Sequence, residues 1–191
     1  MEPYHFALLG GFLVLLAGFA LRRFTGFLSQ RPVHYATGEP QFDLRTHLNG
    51  DIRCSGVIYG PAGRVTSSFK GDFRADWQGN TGVMTERFVY DTGTIQNREW
   101  HLRLGNDGRI KATAPDVIGH STGVQLGSAV QLKYRLRLPE TAGSHVLDVV
   151  DWMYLTPGGD IVNRSQFRKF GIKVAELVAV MRPANLDREP E

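Results

Sequence analysis

The sequence predicts a mainly β protein, an antiparallel up-and-down β-barrel preceded by one N-terminal transmembrane helix. Three observations carry that prediction. Residues 6–21, FALLGGFLVLLAGFAL, hold no charge and run directly into Arg22 and Arg23. Beyond residue 41, short runs rich in Val, Ile, Thr, Tyr, Phe and Trp recur between glycine-containing turns. No stretch between those runs is long enough for the crossover helix that parallel strands require. With 191 residues the chain can hold one such domain after the helix, and 22 glycines beside 10% aromatics suit a turn-rich β-fold.

The apolar segment comes first. As a helix, residues 6–21 rise about 24 Å, short of the roughly 30 Å hydrocarbon core of a bilayer. Pro3 and Tyr4 extend it upstream, Arg22 and Arg23 can snorkel, and Phe24, Phe27 and Leu28 continue the apolar surface. A secretory signal needs a basic leading region and a small-residue cleavage site. Glu2 and His5 supply no such region, and Ala20-Leu21-Arg22 is a poor site. Residues 1–28 therefore read as an uncleaved single-pass anchor, with a cleaved signal or an interfacial helix as the alternatives. The positive-inside rule keeps Arg22, Arg23 and the domain they precede on the cytoplasmic side. Residues 29–41, polar and containing Pro32, Gly38 and Pro40, read as a linker. Residues 42–182 form the barrel domain, and 183–191 a disordered tail.

Nine strands follow from the alternation of apolar runs and turns: 51–59, 64–77, 83–90, 95–104, 109–114, 123–126, 129–138, 145–155 and 160–167. Residues 172–181, IKVAELVAVM, suit a final strand or a short closing helix, and their branched side chains favour the strand. Two hairpins allow register to be argued. A three-residue loop at Asn106-Asp107-Gly108, with Gly108 left-handed, sets Leu104 opposite Ile110 and Leu102 opposite Ala112. A two-residue type II turn at Pro157-Gly158 sets Asp151 opposite Arg164 and Trp152 opposite Asn163. Both faces of 146–155 are largely apolar, so this strand is expected to be covered on both sides, and Asp151 needs a partner there. Asp151 and Arg164 are the expected structural pair. Many sequential hairpins leave edges that closure into a barrel removes.

Charge and motif content narrow the function. The net charge is +3, but between residues 36 and 181 there are 17 basic and 15 acidic residues, spread along the chain. That is not the concentrated basic footprint of a nucleic-acid binder. The single cysteine, Cys54, excludes an intramolecular disulfide framework and reads as a small core residue. No two of the six histidines share a metal-ligand spacing, so no metal site is expected. No nucleophile elbow, zinc helix, dinucleotide fingerprint or phosphate loop occurs; no catalytic residue and no cofactor are assigned.

The alternation Leu132, Tyr134, Leu136, Leu138 against Lys133, Arg135, Arg137 turns an apolar, aromatic row inward. The candidate ligand-binding set is Trp100, Leu132, Tyr134, Leu136, Trp152, Tyr154 and Arg164. A barrel of this size can hold a small apolar ligand. The expected function is therefore a membrane-tethered barrel that binds or presents a hydrophobic small molecule, such as a fatty acyl lipid. The alternatives are a filled barrel that serves protein contacts at the membrane and a lipid-modifying enzyme. The volume and lining of the barrel interior separate them.

Asp151-Trp152-Met153-Tyr154-Leu155, followed by Asn163-Arg164-Ser165 and Lys169-Phe170-Gly171, resembles a bacterial envelope family catalogued as domain of unknown function 3833. The resemblance extends to Gly60 with Gly63-Arg64-Val65-Thr66, Trp77 with Gly79, Phe88-Val89-Tyr90-Asp91, Trp100, and Asp116-Val117-Ile118-Gly119. It implies a lipocalin-like (calycin-like) barrel. It also implies a place at the bacterial inner membrane, with a periplasmic domain as the alternative to the cytoplasmic side. Members often look like lipoproteins with a lipid-bearing cysteine, and this chain has none at the end of its apolar segment. Proximity of family members to lipid-modifying enzymes implies lipid chemistry, and no catalytic residue is implied.

Overall fold

The computed structural model describes residues 3–184, so the tail expected at 183–191 lies mostly outside the described residues. Helix α1 (Pro3–Phe24) opens the chain. At 22 residues it is about 33 Å long, because the helix runs through both arginines. Two short 3₁₀ turns, Phe27–Ser29 and Pro32–Tyr35, and the single-turn helix α2 (Leu44–His47) lead into the sheet. Ten strands follow: β1 (Gly50–Tyr59), β2 (Val65–Gln78), β3 (Thr81–Tyr90), β4 (Ile95–Leu104), β5 (Arg109–Thr113), β6 (Ser121–Leu126), β7 (Ala129–Arg137), β8 (Val146–Leu155), β9 (Ile161–Lys169) and β10 (Ile172–Pro183).

Each strand pairs antiparallel with its neighbours in sequence, and β10 closes on β1 from Ile52↔Pro183 to Tyr59↔Glu176. Closure leaves no sheet edge unpaired. Segment 172–181 is therefore a strand, as its branched side chains predict. The 106–108 hairpin has the expected register, Leu104↔Ile110 and Leu102↔Ala112, with Gly108 at φ 77° and its apolar residues buried.

The second hairpin corrects the sequence reading. Thr156 N–H donates to the Asp160 carbonyl at 2.9 Å, so the loop has three residues, Pro157-Gly158-Gly159, with Gly159 left-handed at φ 85°. The sequence offers two adjacent glycines, and the chain uses the second, as it uses Gly108 in the other hairpin. Register slips by one: Trp152 pairs with Arg164 and Asp151 with Ser165. A slip of one residue exchanges faces. Asp151 points inward and Arg164 outward, and the expected Asp151–Arg164 pair does not form.

Strand β8 is nevertheless covered on both sides. In its inner row Val149, Met153 and Leu155 belong to the main core, and Leu147 is buried and lines the lumen. In its outer row Val150, Trp152 and Tyr154 are roofed by residues 27–35, which span the end of the expected anchor and the start of the expected linker. Phe27 packs with Ala129 and the fully buried Trp152, and Tyr35 and Tyr154 pack around them. Gln30 accepts hydrogen bonds from Tyr35 (2.5 Å) and Tyr154 (2.6 Å), and Ser128 N–H reaches the Tyr35 carbonyl.

Candidate functional site in the barrel lumen

Inward-facing side chains leave a cavity of about 430 Å³ inside the barrel. One end is closed by α2. Asp43 caps this helix by accepting from Arg45 N–H at 2.9 Å, and Leu44 and Leu48 are buried against the barrel. Trp77 Nε1 donates to the Leu48 carbonyl (2.8 Å) and Phe42 N–H to the Gly127 carbonyl (2.7 Å), which fastens the plug to the rim. Leu138, Pro139 and Ala142, after β7, line the far end.

The wall has an aromatic sector and a polar one. Phe69, Phe73 and Phe88 pack edge to face, with centroids 5.0–5.4 Å apart. Opposite, Trp100 and Tyr134 meet edge to face at 5.3 Å. Arg98 lies over both rings, 4.3 Å from the Trp100 centroid and 5.6 Å from that of Tyr134. Its Nε bonds to Asp116 at 2.9 and 3.0 Å. Glu86 faces Arg98 directly across the β3–β4 ladder. Asp151 accepts from Ser165 Oγ (2.7 Å) and Asn163 Nδ2 (2.5 Å).

Three carboxyls thus converge on one guanidinium, and their protonation reflects it. Burial pushes Glu86 up to about 7; Arg98 opposes the shift, while Asp151 and Asp116 add to it. Burial also raises Asp151 above the usual carboxylate range, against the hydrogen bonds from Ser165 and Asn163. Tyr134 holds its proton more firmly than an exposed phenol, chiefly through burial. Burial disfavours the Arg98 charge, but the neighbouring carboxyls of Glu86 and Asp116 more than offset it. Burial pushes the Cys54 thiol up to about 12, which fits an unreactive core residue. Two polar atoms in the cluster, Glu86 Oε2 and Arg98 Nη2, are buried without a hydrogen-bond partner.

The candidate residues fall into two groups. Trp100, Leu132, Tyr134 and Leu136 line the cavity. Trp152, Tyr154 and Arg164 lie on the outer wall beneath residues 27–35, away from the lumen. Arg164 sits 5.1 Å over the Phe27 ring and bonds to Glu176 at 2.6 Å. The sequence reading passed over Glu86, Arg98 and Asp116. Period two contains the signal for the first two: Glu86 stands between Met84 and Phe88, and Arg98 between Gln96 and Trp100, in rows that otherwise face inward. Asp116 follows no strand period, because it lies in the bend between β5 and β6. Among the described residues no group of His, Cys, Asp and Glu has the arrangement of a metal site.

A closed ten-strand antiparallel barrel with a lined lumen is a lipocalin-like fold. Residues 21–183 match the family described as protein of unknown function (DUF3833), and the chain belongs to that family. Its fold is similar to the S-type phycobiliprotein lyase CPES of Guillardia theta. The TM-score is 0.52 and the identity 6%, covering 75% of this chain and 90% of the lyase. Rv2717c of M. tuberculosis aligns with a TM-score of 0.47 and 17% identity over 72% of this chain and 93% of that one. No curated protein matches the sequence. One N-terminal helix, Tyr4–Leu21, is long and apolar enough to cross a bilayer, a property that anchors and signal sequences share.

Proposed function

We propose that this protein is a membrane-tethered barrel that takes a small amphiphile, such as an acyl lipid, into its lumen. The observation that carries the reading is the cavity of about 430 Å³, mainly apolar with one polar cluster. That volume falls within the range of small-molecule pockets, and the combination of apolar walls with a few convergent polar groups is characteristic of them. A filled barrel serving as a scaffold fits this interior less well.

Burying about ten methylenes at about 0.8 kcal/mol each contributes about 8 kcal/mol, which offsets much of the cost of association, and contacts to the polar cluster add to it. Helix α1 tethers the barrel to the bilayer, and the charge rule puts the barrel on the cytoplasmic side. Entry is at the end away from α2. Three adjacent turns there carry exposed apolar residues: Phe170 (90% exposed) and Ile172 in one, Val65 and Ile95 in the others. These flank the opening through which the ligand enters.

Mass spectrometry of organic extracts from the purified full-length chain tests the proposal. An acyl lipid should co-purify with the unmodified protein and be lost from Leu136→Trp, which fills the cavity without touching α1. Recovery of no lipid from the folded, unmodified chain, or equal recovery from both proteins, refutes luminal binding.

A further inference from the structure

We infer that the ligand's head group is neutral and carries both a hydrogen-bond donor and an acceptor, as a hydroxyl or primary amide does, and that it docks between Glu86 and Arg98. The inference rests on the luminal-binding reading and adds the chemistry that the lumen selects.

Hydrogen bonding within the cluster is incomplete. Asp151 Oδ1 accepts from both Ser165 and Asn163. The Nε side of Arg98 is supplied by Asp116. Among the fully buried side-chain atoms of the cluster, Arg98 Nη2, a donor, and Glu86 Oε2 have no hydrogen-bond partner. Their residues are cross-strand partners on β4 and β3, so the two side chains start from adjacent points and project to the same face of the sheet. A buried polar atom without a partner is costly, and a ligand that satisfies both atoms gains what the apo site forgoes.

Three kinds of head group can be compared. A carboxylate offers acceptors only, so it satisfies Arg98 and leaves Glu86 facing a like charge, with Asp116 and Asp151 also nearby. An ammonium offers donors only and meets Arg98. A neutral hydroxyl or amide donates to Glu86 Oε2 and accepts from Arg98 Nη2. A hydroxyl also serves when Glu86 carries its proton, because it can accept from one neighbour and donate to another. The groups surrounding Glu86 are Cys54 on β1, Tyr90 on β3, Arg98 on β4, Asp116 in the β5–β6 bend, Tyr134 on β7 and Asp151 on β8. Arg98 is the single cation among them, and Asp116 already engages it.

The test measures retention of radiolabelled 1-dodecanol and dodecanoate by the full-length chain in phosphatidylcholine nanodiscs at pH 8, above the retention of protein-free discs. The unmodified chain is expected to bind dodecanol at least about tenfold more tightly than dodecanoate, since like-charge juxtaposition in a desolvated site is strongly unfavourable. Glu86→Gln removes one charge at nearly constant volume and should raise dodecanoate affinity about tenfold, collapsing the preference. A thermal melt of the variant in the same discs confirms that it is folded. Equal or tighter binding of dodecanoate by the unmodified chain overturns the inference while leaving luminal binding intact. So does a preference that survives Glu86→Gln in the folded variant. If the chain retains neither probe, luminal binding fails and the inference fails with it.

Discussion

Replacing Glu86 with Gln is expected to stabilise the protein at pH 8 and to change it little at pH 4.5. A free glutamate titrates near 4.5, and burial pushes this one up to about 7. As the pH rises above 4.5, the unfolded chain releases the proton while the folded chain keeps it until about 7. The folded state therefore binds more protons across that window, and the stability contribution present below it is lost as the pH rises through it. At 1.36 kcal/mol for each tenfold change in proton activity, the whole effect is roughly 3 kcal/mol. Glutamine occupies the same volume and does not titrate, so Glu86→Gln escapes the loss. For a chain of this size, the variant's melting temperature at pH 8 should exceed that of the unmodified protein by about 6–12 °C. Circular-dichroism melts of both full-length proteins in the same detergent, at pH 4.5, 6 and 8, measure the difference. A difference that does not grow with pH refutes the assignment of Glu86 as a buried, poorly compensated acid.

Three further outcomes follow from the geometry. In a double-mutant cycle by denaturant melts, Arg164 and Glu176 should couple by about 1 kcal/mol, a modest value because Arg164 is 44% exposed and Glu176 9%; coupling of Arg164 to Asp151 instead would restore the register rejected above. Gly127→Ala should cost about 2 kcal/mol or more and expose Trp152 to acrylamide quenching, because its Cβ would fall 1.7 Å from the Tyr35 carbonyl at a residue with φ 57°; unchanged quenching would show that residues 27–35 are not held there. Phe170 sits at φ 52° and is almost wholly exposed, so Phe170→Asn should raise stability by about 0.5–1 kcal/mol while weakening the chain's lipid uptake from vesicles; lower stability would mean that the ring packs in solution.

The turns and the alternation were legible in the sequence because both are local. Asn106-Asp107-Gly108 fixes its own hairpin, since one glycine can take the left-handed position and the flanking rows separate into apolar and charged faces. The inward row Leu132, Tyr134 and Leu136 follows from the same period, as does the final strand with its branched residues. At Pro157-Gly158-Gly159 local information is degenerate, because two glycines permit two loops, and packing of the two faces of β8 selects one. That choice decided the fate of Asp151, Arg164, Trp152 and Tyr154.

The cover over Trp152 could not be read locally either: Phe27 and Tyr35 lie more than a hundred residues away in sequence, and only chain closure brings them to the outer wall. The cluster in the lumen has the same origin. Glu86 and Arg98 are neighbours through one hairpin, but Asp116 joins them from the β5–β6 bend and Tyr134 and Asp151 from β7 and β8. Strand period specifies which face a side chain takes. Which other side chains share that space, and how far their charges shift one another, depends on the curvature and register that bring ten strands into a closed ring.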